Sequence, residues 1–274
     1  MSYRHTLSKA KALVKRIRRT LQGKNLKSPV LFFHVPKCGG TSVKSAIFES
    51  LGIREYLRGE YFLLDAHASR KATDTLDAKM RVLRENVLAY ELNRHPQPLF
   101  VTGHFIYSRQ IHEQLAKQYT VVTIVRDPVK RFISQFFYNK NKQTQDHFGI
   151  DMDIDEYLDS DRAKGTGRLM TSYLVGNEAL NNESVPVDEL VAEAVQNMRQ
   201  FDVVGVLSDM ERFQHDFAQA TGITIQIRHQ RKNPTDKSKR DSVLTEERLG
   251  RIQALCAPDI RLYEAVINDS KAPD

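Results

Sequence analysis

A chain of 274 residues, 41% hydrophobic and 27% charged, has the make-up of a soluble globular protein with ample length for a core. Its two cysteines, Cys38 and Cys256, lie far apart without a metal-ligand rhythm, which argues against a disulfide scaffold or a zinc site and fits a reducing compartment. The net charge of +7 is local: residues 1–27 hold nine Lys or Arg and no acid, leaving 32 basic against 34 acidic residues elsewhere.

That basic tail carries Leu7, Ala10, Val14, Ile17 and Leu21 at three- and four-residue steps, an apolar stripe on a cationic helix. It suits either a helix packed on protein or one lying on an anionic membrane surface. The stretch lacks the interleaved aromatics of a nucleic-acid binder, so no nucleic-acid partner is expected. No apolar run approaches the ~18 residues needed to cross a bilayer, and no signal-peptide core follows the basic start. A cytoplasmic location is the expectation, with contact at the inner membrane surface as an option. Two units are expected, a basic helix at 1–27 and one domain at 28–274, since no linker or repeat divides the latter.

The stretch Val30 to Ser42 organises the rest. Val30 to Val35 reads as a buried strand of a parallel sheet, and Gly39-Gly40 as a turn. An amphipathic helix with Val43, Ile47 and Leu51 on one face then runs to Gly52. Strand, glycine turn and helix form an anion site: the backbone can approach a phosphate, and the helix N-terminus adds its positive dipole end. Taken alone, the same turn serves equally well with no ligand. It also differs from a nucleoside-triphosphate loop, because Lys37 precedes the glycines instead of following them. No Walker-B-like Asp stands out to hold magnesium, so no metal is expected. Pro36-Lys37-Cys38-Gly39-Gly40-Thr41-Ser42 resembles the 5′-phosphosulfate loop of sulfotransferases that use 3′-phosphoadenosine 5′-phosphosulfate (PAPS). The commoner family residue at position 38 is threonine, so a side-chain hydroxyl contact is lost there.

Residues 54–94 are less informative: an apolar patch at Tyr61-Phe62-Leu63-Leu64, a polar run from Asp65 to Asp74, and a helix near Leu76 to Leu92. Leu99-Phe100-Val101 is the next strand, and it leads into Gly103-His104-Phe105. Ligands of open α/β sheets sit outside the carboxyl ends of strands, so His104 falls where a general base belongs. Capping a helix that begins near Ser108 is the plainer reading. The Gly-His pair resembles the catalytic histidine motif of the branch related to glycosaminoglycan 2-O-sulfotransferases, which implies a carbohydrate or glycan acceptor.

Tyr119 to Val125 is a β-branched strand ending in Arg126-Asp127-Pro128, with Pro128 suited to the first turn of a helix carrying Arg131, Ser134 and Tyr138. A strand-end arginine and a serine on the following helix can grip one phosphate from two sides. This arrangement resembles the 3′-phosphate motif of PAPS-dependent sulfotransferases and carries over as Arg126 and Ser134. The alternative is an Arg-Asp pair bracing a helix start. Asn139 to Asp161 reads as a polar insertion over the site. Arg168, in Lys164 to Met170, is either an acceptor contact or an exposed helix-start arginine.

Asp188 to Gln200 reads as a helix, Phe201 to Leu207 as a strand, Met210 to Ala220 as a helix and Ile223 to Ile227 as a last strand by alternation. Arg228 to Arg240 is a basic loop; by resemblance Arg231 and Lys232 are nucleotide contacts, though a solvated charge run reads equally well. Helices at Thr245 to Leu255 and Asp259 to Val266 complete the chain. The expected fold is α/β, a P-loop-like three-layer arrangement with a mostly parallel sheet between helices. The implied activity is sulfuryl transfer from PAPS to a carbohydrate hydroxyl, with His104 as base and Lys37 supporting the leaving phosphate. A P-loop kinase and a non-catalytic nucleotide-binding module are the alternatives.

Overall fold

A computed structural model describes residues 26–52, 57–142, 149–176, 179, 184–228 and 242–269. Five strands form one sheet, β1 (Val30–Phe33), β2 (Tyr61–Leu63), β3 (Phe100–Gly103), β4 (Thr120–Val125) and β5 (Val203–Val206). They lie in the order β2-β3-β1-β4-β5 and every pairing is parallel. A parallel sheet needs both faces covered, and β1, β3 and β4 are buried at every position. The result is the α/β sandwich that the alternating strand and helix signals predict.

Helices take up the connections. These are α1 (Gly40–Leu51), α2 (Ala66–Leu76), α3 (Met80–Leu92), α4 (Arg109–Gln114), α5 (Pro128–Lys140), α6 (Ile154–Asp159), α7 (Asp161–Gly167), α8 (Leu169–Leu174), α9 (Val187–Met198), α10 (Met210–Thr221), α11 (Glu246–Leu255) and α12 (Ala257–Asp269). Local chemistry sets their starts. Asp127 caps α5 by accepting from Lys130 N at 2.8 Å, directly before Pro128. Asp65 does the same for α2, accepting from Ala68 N at 2.6 Å.

A main core surrounds the sheet, and a second gathers Phe132, Phe136, Phe137, Ile150, Tyr157, Ile252 and Cys256 between α5, α6, α7 and α11. Fully burying an aromatic or aliphatic side chain of this size contributes about 1.5–3 kcal/mol. The described part of the expected insertion at 139–161 therefore joins a core: Ile150, Ile154, Tyr157 and Leu158 are all buried in it.

Three readings of local structure change. Tyr61 to Leu63 is the edge strand β2, and the polar run behind it is helix α2, capped by Asp65. The helix expected from Leu76 to Leu92 begins only at Met80, because Asp77 turns left-handed (φ 48°) and ends α2. Ile223 to Ile227 is not a strand. Its isoleucines alternate into the core, but Ile227 N donates to Gln214 Oε1 and Thr224 O accepts from Ser50 Oγ, so side chains take the place of a sheet ladder.

Candidate active site

The carboxyl ends of β3, β1 and β4, three neighbouring strands, deliver the residues singled out in the sequence. From β1 the chain makes a tight turn in which Lys37 (φ 66°) and Gly39 (φ 82°) are both left-handed, and α1 begins at Gly40. Gly39 is the N-cap and no side chain caps the helix, so N–H groups of the first turn are left for an outside acceptor. Thr41 and Ser42 are half-buried on that turn. Lys37 Nζ sits 3.8 Å from the centroid of the Tyr138 ring of α5, a cation–π contact at the mouth of the site. Cys38 turns inward: its thiol is buried beside the Pro36 carbonyl at 3.7 Å, and burial pushes it up to about 12, so it is neither ligand nor nucleophile at neutral pH.

From β4 comes Arg126, whose NH1 donates to the Lys37 carbonyl at 3.0 Å. That bond brings the two segments, 89 residues apart in sequence, to one place. Ser134 lies on the buried face of α5, at 9% exposure. Asp127, the one acid between Arg126 and Ser134, is turned to capping α5. Lys37, Arg126 and the helix-end N–H groups are donor types suited to phosphate.

From β3 comes His104. Its Nδ1 lies 2.6 Å from the His34 carbonyl, and a carbonyl only accepts, so Nδ1 carries the hydrogen and Nε2 keeps a lone pair. The two imidazoles sit 4.5 Å apart between centroids. Burial lowers His104 below its usual pKa, opposed by the His34 carbonyl and reinforced by Arg84 and Lys44. Burial pushes His34 down to about 3, with His104 and Lys44 adding to the effect. Both rings are therefore neutral at neutral pH.

A family model described as the sulfotransferase family matches residues 25–264. The chain belongs to the sulfotransferase family. No curated protein matches it. Sulfuryl transfer is thus the general activity, and the parallel α/β architecture is that of the family.

In this sulfotransferase the turn from Lys37 to Ser42, Arg126 and His104 meet around the ends of β1, β3 and β4, and Ser134 lies on α5, the helix that follows β4. Arg168 is the exposed N-cap residue of α8, where its carbonyl accepts from Ser172 Oγ at 2.8 Å. Arg231 and Lys232 lie outside the described residues, as does the stripe from Leu7 to Leu21. Among the described residues no group of three or more His, Cys, Asp or Glu is arranged to hold a metal ion. Among them, too, no helix is long and apolar enough to cross a membrane.

Sequence reading missed His34, Lys44, Arg84 and Tyr173. A histidine closing an otherwise apolar strand was a usable signal for His34, and Lys44 falls one turn beyond Gly40 on α1. Arg84 and Tyr173 had no local signal. They reach His104 from α3 and α8 only because those helices fold against the end of β3: Arg84 NH1 donates to the His104 carbonyl at 3.2 Å, and the Tyr173 ring meets the imidazole edge-on at 6.5 Å.

Proposed function

We propose that this sulfotransferase moves a sulfuryl group from PAPS to a hydroxyl of a carbohydrate acceptor, with His104 as general base. The observation that carries the reading is the Arg126–Lys37 bond, which joins a 5′-phosphosulfate loop and a 3′-phosphate arm into one donor-rich surface. PAPS supplies an activated sulfuryl group on a phosphate that leaves as an anion. Lys37 and the N–H groups of Gly39 to Thr41 would neutralise charge growing on that phosphate. Cys38 and Ser42, whose N–H groups donate to the Val35 and Gly39 carbonyls, would shape the turn, and Ser42 would offer its hydroxyl. Such prearranged donors in a water-poor site lower a barrier by several kcal/mol. Arg126 and Ser134 would hold the 3′-phosphate, with Arg231 and Lys232 as further candidates, and Arg168 as a candidate on the acceptor side. His104 Nε2, kept unprotonated by burial, takes the proton of the acceptor hydroxyl as it attacks.

The resemblance of Gly103-His104-Phe105 to the glycosaminoglycan 2-O-sulfotransferase motif supports a glycan acceptor. Sulfur-labelled PAPS and a panel of glycans test the activity, and His104→Ala tests the base. The variant should keep its affinity for 3′-phosphoadenosine 5′-phosphate and lose turnover by about 100-fold or more. Transfer that survives in the variant contradicts the role of His104, and an absence of PAPS turnover on every acceptor contradicts the activity.

A further inference from the structure

Arg84 on α3 is half-buried beside His104 and belongs to none of the segments recognised in the sequence. Its NH1 donates to the His104 carbonyl at 3.2 Å, and its guanidinium also bonds the Tyr173 hydroxyl. Its Nε is buried with no hydrogen-bond partner among the described residues. A buried donor without a partner is costly, so the two bonds that Arg84 does make must fix where its guanidinium sits. Tyr173 is in turn tied to the His104 segment twice: its ring meets the imidazole, and its carbonyl accepts from Tyr107 N at 2.9 Å.

We infer that Arg84 is a positioning residue for the proposed base: it grips the His104 peptide and the Tyr173 phenol together, so that the imidazole is held at one orientation with Nε2 facing the acceptor. The inference rests on His104 being the base. It assigns Arg84 a second effect through charge. The groups that act on the His104 ring are His34 at the end of β1, Lys44 on α1, Arg84 on α3 and Tyr173 on α8, with Arg70 of α2 behind Arg84. Arg84 and Lys44 are cations, and each disfavours a protonated imidazole. Tyr173 is held neutral, its hydroxyl pushed up to about 12 by burial.

Two variants separate geometry from charge. Arg84→Lys keeps a cation but loses the planar fork that spans the carbonyl and the phenol in a fixed geometry; Arg84→Met keeps bulk and loses both. The expected result is a fall in kcat on the order of 100-fold in both, as for a misplaced catalytic group, with little change in affinity for 3′-phosphoadenosine 5′-phosphate or in melting temperature. The acid limb of kcat/KM should move to higher pH in Arg84→Met and stay in place in Arg84→Lys. Titration of the labelled His104 imidazole by NMR, assigned with His104→Ala, should show the same two behaviours without any turnover. The NMR result therefore stands even if His104 proves not to be the base. Limbs that move equally in both variants would mean lost burial and overturn the inference, as would an unchanged kcat or an unchanged imidazole titration in Arg84→Met.

Discussion

Gly40 leaves no room for a side chain: a Cβ there would lie 2.0 Å from Cδ2 of His34. His34 cannot easily give way, since its ring is stacked on Phe32 at 5.7 Å and lies 4.5 Å from His104. The glycine is thus required by a close approach to an imidazole. Gly40→Ala should destabilise the protein by about 1–3 kcal/mol, the usual cost of overpacking, and displace His104 from its contact with the His34 carbonyl. Urea unfolding measures the first effect and the NMR signal of His104 the second. At this scale the motif residues were legible because each sits in a short stretch with its own chemistry, as in Pro36 to Ser42 or Arg126 to Ser134. Arg84 and Tyr173 were not, because their meaning depends on which helices touch the end of β3.

Between elements, a buried polar knot holds α12 to α5 and α8. Asp259 accepts from Met170 N at 2.9 Å, Thr171 N at 2.8 Å and Thr171 Oγ1 at 2.9 Å, and faces Arg131 Nε at 3.8 Å. Arg131 also donates to the Thr166 carbonyl and to Gln135 Oε1. Burial raises the Asp259 carboxyl, against Arg131 and the three donors that favour its ionised form. Removing one partner strands the other charge out of water. Asp259→Ala should therefore cost about 3–5 kcal/mol, read as a lower denaturation midpoint. The sequence showed Arg131 as one of several polar positions on α5 and gave no sign that its partner lay 128 residues on. It did show the elements themselves wherever apolar periodicity was strong, as in β1, β4 and α10. It failed where a polar helix was defined by its cap, as in α2, and where alternation reported burial without pairing, as at Ile223 to Ile227.

For the molecule as a whole, the histidine pair predicts how stability responds to acid. His34 titrates near 6.5 when unfolded and at about 3 when folded. Between those values the unfolded chain binds more protons, so stability is complete above pH 6.5 and falls as pH drops towards 3, by up to about 1.4 kcal/mol per pH unit. His104 is lowered too and acts in the same direction. His34→Gln should flatten the dependence of the urea midpoint on pH between 6.5 and 5, whatever its effect on stability at pH 7. The layered fold followed from strands and helices in alternation, since parallel strands need covered crossovers. The strand order, which brings β3, β1 and β4 side by side and so unites three distant motifs, was a property of packing that no single stretch carried.

The central claim is that the Lys37 turn and Arg126 hold the two ends of one nucleotide, and comparing two ligands tests it most directly. Calorimetry should show wild-type protein binding 3′-phosphoadenosine 5′-phosphate more tightly than AMP, which lacks the 3′-phosphate, by about 10–100-fold, the worth of a charged hydrogen-bonded contact. Arg126→Ala should shrink that difference, with Ser134 left to hold the 3′-phosphate. It should cost 3′-phosphoadenosine 5′-phosphate more affinity than AMP, which loses only the bracing of the Lys37 turn. Equal affinities for the two ligands in the wild type, or an equal loss for both in the variant, would contradict the account.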